Sequence, residues 1–235
     1  MDMVVGTQER ATAIAPARRV TPASASSLSI AIAGSGGSGV LTAGTLLLEA
    51  AARAGLYGLM VRTSGPQIRG GEAAALVRIA HEPVAALGDA FDLLIAVDWQ
   101  NVHRFADEIP LGNASVVIGD ANEGDVPEVF RASGARGFPL PLKKMAKAIP
   151  GSWINMLALG LAGALSGLRS EVLETALRDS WKRDEAGLEA NLAALRAGIE
   201  AARDIDGFAP LARAKPASTK RWLVSGNEAA GYGAL

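Results

Sequence analysis

The sequence predicts an α/β protein: a Rossmann-like, mostly parallel sheet flanked by helices, with more helices after it. Three observations carry this. An apolar run at 28–33 enters a glycine cluster, Gly34-Ser35-Gly36-Gly37-Ser38-Gly39-Val40, which opens a helical pattern over 41–54 and a second apolar run at 56–62. Further short apolar runs recur at 92–97 and 115–119, and unbroken runs of that length suit strands covered on both faces. From residue 143 onward only helical periodicity remains.

In chain order, residues 1–27 are rich in Ala, Thr, Arg and Ser without hydrophobic period, which predicts a disordered leader. Residues 28–33 read as the first strand. The helix at 41–54 carries Leu41, Leu47, Leu48 and Ala51 on its apolar side, a Glu49/Arg53 pair and Gly55 as its stop. With a strand at 56–62 this makes a β-α-β unit, hence a right-handed crossover in a parallel sheet. Thr63-Ser64-Gly65-Pro66-Gln67-Ile68-Arg69-Gly70-Gly71 is a glycine-bounded loop with an arginine at its crest, and a strand at 72–80 follows it directly, a departure from β-α-β alternation. Short helices are expected at 98–109, 127–131 and 143–149. Two prolines make 137–141 an edge strand at best. An apolar helix at 153–166, a helix at 171–179 capped by Ser170, and an amphipathic helix at 184–203 with Leu188, Leu192, Leu195 and Ile199 on one face complete the main unit. The expected division is a leader (1–27), a Rossmann-like domain (28–205), a linker (206–221) and, at 222–235, the opening strand and glycine turn of another unit.

Composition narrows the function. The chain has 235 residues, is 49% hydrophobic and 20% charged, and carries a net charge of −1, which gives no electrostatic footprint for nucleic acid. The absence of cysteine excludes disulfides, Cys-ligated zinc and an all-Cys iron–sulfur cluster on this chain and agrees with a cytoplasmic setting. His81 and His103 have no metal-ligand spacing, and no run approaches the roughly 20 apolar residues of a membrane span. There is no Gly-x-Ser-x-Gly elbow, no P-loop lysine after the glycines, and Gly119-Asp120-Ala121 is not the Gly-Asp-Gly start of a thiamine-diphosphate motif. By its own chemistry the chain reads as a binding domain, with no catalytic residue and no metal site.

Gly34, Gly36 and Gly39 fit G-x-G-x-x-G between strand and helix. There the backbone can approach a phosphate and the first-turn N–H groups of the helix can face it; the alternative is that the glycines only pack helix on sheet. An NAD site would end the second strand in an acid. This strand ends Val61-Arg62-Thr63-Ser64, so a stand-alone NADP-binding oxidoreductase stays open through Arg62. Arg69 can bind a phosphate or carboxylate bidentately, or pair with a partner's acid at an interface. Asn155 and Asn191, polar residues on apolar helical faces, are either satisfied core hydrogen-bonders or ligand contacts. Most of the four tryptophans, Trp99, Trp153 and Trp181 among them, are read as core.

Taken together, the glycine loop, the run Gly65-Pro66-Gln67-Ile68-Arg69-Gly70-Gly71-Glu72-Ala73-Ala74 and the run Asn155-Met156-Leu157-Ala158-Leu159-Gly160 resemble the gamma subunit or domain of 2-oxoacid:ferredoxin oxidoreductases, over about residues 28–202. The tail from Ser225 to Leu235 is similar to the start of the alpha, pyrimidine-binding domain of the same enzymes, so the chain looks like the gamma part of a gamma-alpha fusion of the 2-oxoglutarate type, cut early. The resemblance implies a complex that converts a 2-oxoacid to acyl-CoA by oxidative decarboxylation. Alpha and beta parts would hold thiamine diphosphate with Mg, iron–sulfur clusters would lie on cysteine-bearing parts, and ferredoxin would receive the electrons; none of these is expected on this chain. It implies coenzyme A contact by this domain, carried over to Gly34, Gly36, Gly37, Ser38, Gly39, Val40, Arg69, Asn155 and, more loosely, Asn191. The alternatives are the NADP reading and a purely structural interface domain.

Overall fold

The computed structural model describes residues 25–65, 71–100, 102–212 and 223–234. Six strands, β1 (Ser27–Ser35), β2 (Tyr57–Ser64), β3 (Glu72–Ala80), β4 (Phe91–Ala96), β5 (Leu111–Asp120) and β6 (Arg136–Leu140), form one sheet in the order β2-β3-β1-β4-β5-β6. The helices are α1 (Val40–Arg53), α2 (Glu128–Arg131), α3 (Leu142–Lys147), α4 (Ile154–Leu165), α5 (Ser170–Ser180), α6 (Glu185–Ala201) and α7 (Gly226–Gly233). Strands β1, β4, β5 and β6 pair in parallel, while β3 runs antiparallel to both β1 and β2.

Strands β1, β3 and β4 are buried on both faces because their two-residue period serves two cores. Leu28, Ile30 and Ile32 of β1 join Val77, Ile79, Leu93 and Ile95 under α1, α4, α5 and α6. Ala31 and Ala33, pointing the other way, join Leu76, Leu94, Ala96 and Val117 under Trp99, Val102, Phe105 and Phe130. The first core is thick and helical, the second a thin cover of loops and short turns.

The mostly parallel α/β expectation holds, but β1 and β2 do not pair. They run the same way with β3 inserted between them. Strand β3 (EAAALVRIA) has both faces apolar and takes the inner position, whereas β2 is half-exposed and takes the edge. The alanines of β3 let α1 lie close: a Cβ on Gly44 would run into that of Ala75. Helices α4 and α6 cross closer still. A Cβ on Gly160 would fall on the Leu195 carbonyl, and one on Gly198 on the Leu157 carbonyl.

Several local expectations change. The helix expected at 98–109 reduces to one 3₁₀ turn, Val102–Phe105, because Asp98 spends its side chain on backbone N–H groups outside any helix. Ser170 is the first residue of α5, with Arg169 at the cap position and no side-chain cap. Asp184 caps α6 by accepting from Gly187 N–H at 2.7 Å. Within the expected linker, Phe208 and Leu211 are buried, and Leu211 bridges to Ala25. Where an opening strand and glycine turn are expected, Trp222 lies outside the described residues, 223–225 are irregular, and Gly226 opens helix α7, started by a reciprocal Ser225/Glu228 capping box. Of the expected leader, residues 1–24 lie outside the described part, and Ser27 already belongs to β1. Among the described residues, no helix is long and apolar enough to cross a membrane.

Candidate functional site

Strand β1 leaves the sheet into α1 on the thick-core side, while the β4–β5 connection packs on the other side. Neighbouring parallel strands whose connections diverge open a crevice at their carboxyl ends, where α/β proteins bind ligands. Ser35 ends β1 and Asp98 follows β4 there, and between them and α3 lies a cleft of about 270 Å3, with Ser38, Lys143 and Lys147 also in its wall.

The glycine loop is built to be rigid. The Asp98 carboxylate accepts from Ser35 N–H at 3.0 Å and Ser35 Oγ at 2.8 Å with one oxygen, and from Gln100 N–H at 3.0 Å with the other. Gly36 N–H donates to the Gly71 carbonyl, while Ser38 N–H (3.0 Å) and Ser38 Oγ (2.5 Å) donate to the Ser35 carbonyl. Three loop N–H groups are thereby committed. Among the described residues, Gly37 N–H and the N–H groups entering α1 at Gly39 and Val40 remain for an anion. Gly37 (φ 93°) and Gly39 (φ 80°) need the left-handed backbone that glycine tolerates. At Gly39 a side chain would also strike Asn155.

The sequence-predicted residues divide clearly. Gly34, Gly36, Gly37, Ser38, Gly39 and Val40 come together with Asn155, whose Nδ2 donates to the Gly39 carbonyl at 3.0 Å. Asn155 Oδ1 is buried and finds no donor among the described residues. Asn191 is fully buried and serves the backbone: its Oδ1 accepts from Trp153 N–H at 3.0 Å, and its Nδ2 donates to the carbonyls of Gly187 (2.7 Å) and Gly151 (3.4 Å). Its polar atoms are thus spent on aligning α6 with the entry to α4. Arg69 lies outside the described residues, but both ends of its loop are fixed at the site. Gly36 holds Gly71, Gly65 N–H donates to the Glu72 carbonyl at 2.9 Å, and Ser35 pairs with Glu72 in the sheet.

Glu72 itself is buried, with Arg104 at 3.2 Å. Its own backbone N–H, then the Arg104 guanidinium, hold its carboxyl below the usual carboxylate range against the cost of burial. Arg62 stands on edge strand β2, exposed, 3.3 Å from Thr45 Oγ1. With β3 between β2 and β1, it is removed from the strand neighbouring the glycine loop, where a dinucleotide fold places the residue that reads the ribose. Trp99 is buried as expected, but Trp153 is 40% exposed beneath Arg183.

Sequence reasoning missed Asp98, Lys143 and Lys147. The signal for Asp98 was an acid immediately after a buried strand. For the lysines it was only a basic run after the last strand, which gains meaning once α3 folds against the cleft. Lys143 is paired with Glu123 at 2.6 Å. Lys147 is exposed at the cleft and has no acidic partner among the described residues.

Fold and site together define a switch-point binding domain with a constrained glycine loop. The comparisons specify it. The pyruvate ferredoxin/flavodoxin oxidoreductase family matches residues 29–201, and the chain belongs to that family. It is 33% identical over 177 residues to the 2-oxoglutarate synthase subunit KorC of Methanothermobacter thermautotrophicus, covering 73% of this chain and 93% of that one. It is 29% identical to the ketoisovalerate oxidoreductase subunit VorA of the same organism, but spans only 36% of that protein. Among solved structures it is similar to 2-oxoglutarate:ferredoxin oxidoreductase from Magnetococcus marinus, with 2-oxoglutarate, coenzyme A and succinyl-CoA bound. That match has TM-score 0.69 and 30% identity, over 82% of this chain and 34% of that one. The gamma subunit of a keto/oxoacid ferredoxin oxidoreductase from Geobacter sulfurreducens shares the fold, with TM-score 0.60 and 24% identity over 76% of this chain and 99% of that one.

Proposed function

We propose that this chain is the coenzyme-A-holding gamma domain of a thiamine-diphosphate-dependent 2-oxoacid:ferredoxin oxidoreductase, which converts a 2-oxoacid to its acyl-CoA. The observation that carries the reading is the glycine loop at the switch point. It leaves Gly37 N–H and the α1 N-terminus toward an anion, with Lys147 at the adjoining cleft. Its likeness to an enzyme with coenzyme A bound supports the same ligand here. Coenzyme A presents phosphates but does not require the acid that NAD binding places on the second strand. Arg69, on the loop anchored to Gly36, is assigned a second anion contact.

Thiamine diphosphate with Mg and the iron–sulfur cluster are assigned to the alpha, beta and cluster-bearing parts. The chain has no cysteine to ligate a cluster, and its described residues include no carboxylate or histidine grouping suited to a metal. Its work is to position coenzyme A for the acyl group and to dock those parts; ferredoxin is the acceptor served by the assembly, in the cytoplasm. We further assign the segment preceding β1, expected over 1–27, to a leader and 222–235 to the start of the alpha part.

Isothermal titration of the chain with coenzyme A and, separately, NADP tests the reading. Coenzyme A is expected to bind, NADP not, and Arg69→Ala to weaken coenzyme A about tenfold, the effect of one lost charge-assisted contact. Binding of NADP without coenzyme A contradicts it.

A further inference from the structure

The glycine loop has a second, less direct anchor, and the inference drawn from it rests on the coenzyme A reading above. Gly36 N–H donates to the Gly71 carbonyl, and a Cβ on Gly36 would run into that same oxygen, so the two backbones are in contact. A displacement of Gly71 therefore displaces Gly36, and with it the uncommitted N–H of Gly37. Gly71 is in turn held by the residue after it. Glu72 pairs with Ser35 in the sheet, and its carbonyl accepts from Gly65 N–H at 2.9 Å. Its carboxylate packs so closely on Gly65 that a Cβ there would overlap it.

That carboxylate is almost wholly buried. Among the described residues its ion-pair partner is Arg104, whose Nη1 lies 3.2 and 3.4 Å from the two carboxylate oxygens. A buried carboxylate stripped of its cation turns toward water, and with Gly65 packed on it that turn shifts the backbone at 71–72. Arg104 stands on the 3₁₀ turn Val102–Phe105, in the same connection after β4 that carries Asp98. One connection thus holds the glycine loop twice, at Ser35 directly through Asp98 and at Gly36 through Glu72 and Gly71. We propose that Arg104 is a positioning residue for the anion site: acting through Glu72 and Gly71, it fixes Gly36 and aims the Gly37 N–H, without itself touching the ligand.

Amide NMR of the ligand-free chain reads the first half of this. Arg104→Met is expected to shift the Gly36 and Gly37 resonances, and Arg104→Lys, which keeps the charge, to leave them near their wild-type positions. Glycine-loop resonances unmoved in Arg104→Met overturn the proposal. Titration with coenzyme A reads the second half. Arg104→Met is expected to weaken binding about 3- to 10-fold, the scale of one hydrogen bond. The double variant Glu72→Gln/Arg104→Met should bind no more weakly than Arg104→Met alone, because a neutral amide needs no cation and both residues act along one chain of contacts. Losses that multiply would make Arg104 a ligand contact in its own right, and a lowered melting temperature with unchanged affinity would make the pair purely structural; either overturns the proposal and leaves the coenzyme A reading intact. A wild-type chain silent toward coenzyme A overturns that reading, and this proposal with it.

Discussion

At the scale of single residues, the site depends on a few committed groups. Asp98 and Ser38 lock the glycine loop from two sides, and Asn155 holds the carbonyl that starts α1. Glu72 is the most consequential buried charge beside them. Its carboxyl is held below the ordinary range by its own backbone N–H and by Arg104. A carboxyl depressed in the folded state stabilises above its unfolded pKa, and that contribution is lost as pH falls through the folded value. Because Arg104 is half exposed, solvent screens the pair and its worth is about 1 kcal/mol. Glu72→Gln is therefore expected to lower the melting temperature at pH 7 by roughly 2–4 °C, and the gap to wild type should close as pH falls through and below the ordinary carboxylate range. A gap independent of pH in thermal melts would show that the charge contributes nothing. How well the sequence disclosed such residues depended on locality. The glycine loop and its left-handed turns at Gly37 and Gly39 were legible because they depend on neighbours in sequence. Asp98 was not, since its partner Ser35 is 63 positions away. Asn191 was recognised as buried and polar, but which backbone groups it satisfies is set by how α6 meets α4.

At the scale of elements, periodicity foretold nearly every helix and strand, and the errors have common causes. The β-α-β pattern at 28–62 correctly implied a crossover, but strand pairing is decided by burial. The doubly apolar β3 displaces the half-exposed β2 to the edge. The terminal segment has the apolar start of a strand, yet a Ser225/Glu228 capping box supplies two reciprocal bonds and starts a helix. Close helix crossing is the tightest constraint. Helices α4 and α6 meet backbone to backbone at Gly160 and Gly198, and α4 carries Asn155 to the glycine loop. Gly160→Val is expected to force the helices apart and cost about 1–3 kcal/mol or more, roughly 3–10 °C in melting temperature. Because Asn155 moves with α4, coenzyme A affinity should fall as well. Unchanged melting and affinity would mean that the crossing yields freely.

At the scale of the whole molecule, the α/β architecture serves to bring two sequence-distant loops to one crevice. Gly71 and Glu72 are fixed at the glycine loop, and α3 and α4 close the other side of the crevice. Composition excludes cysteine-based chemistry on this chain and gives no electrostatic footprint for nucleic acid, and the family resemblance proposes the ligand that residue types alone leave open. The account as a whole stands on coenzyme A occupying this crevice. The most direct measurement is hydrogen–deuterium exchange of the chain with and without coenzyme A. Protection is predicted to concentrate in residues 35–42, 65–72 and 143–155, with edge strand β2 unchanged. Protection confined to β2 and the Arg62 side of the sheet, or none anywhere at saturating coenzyme A, would contradict it.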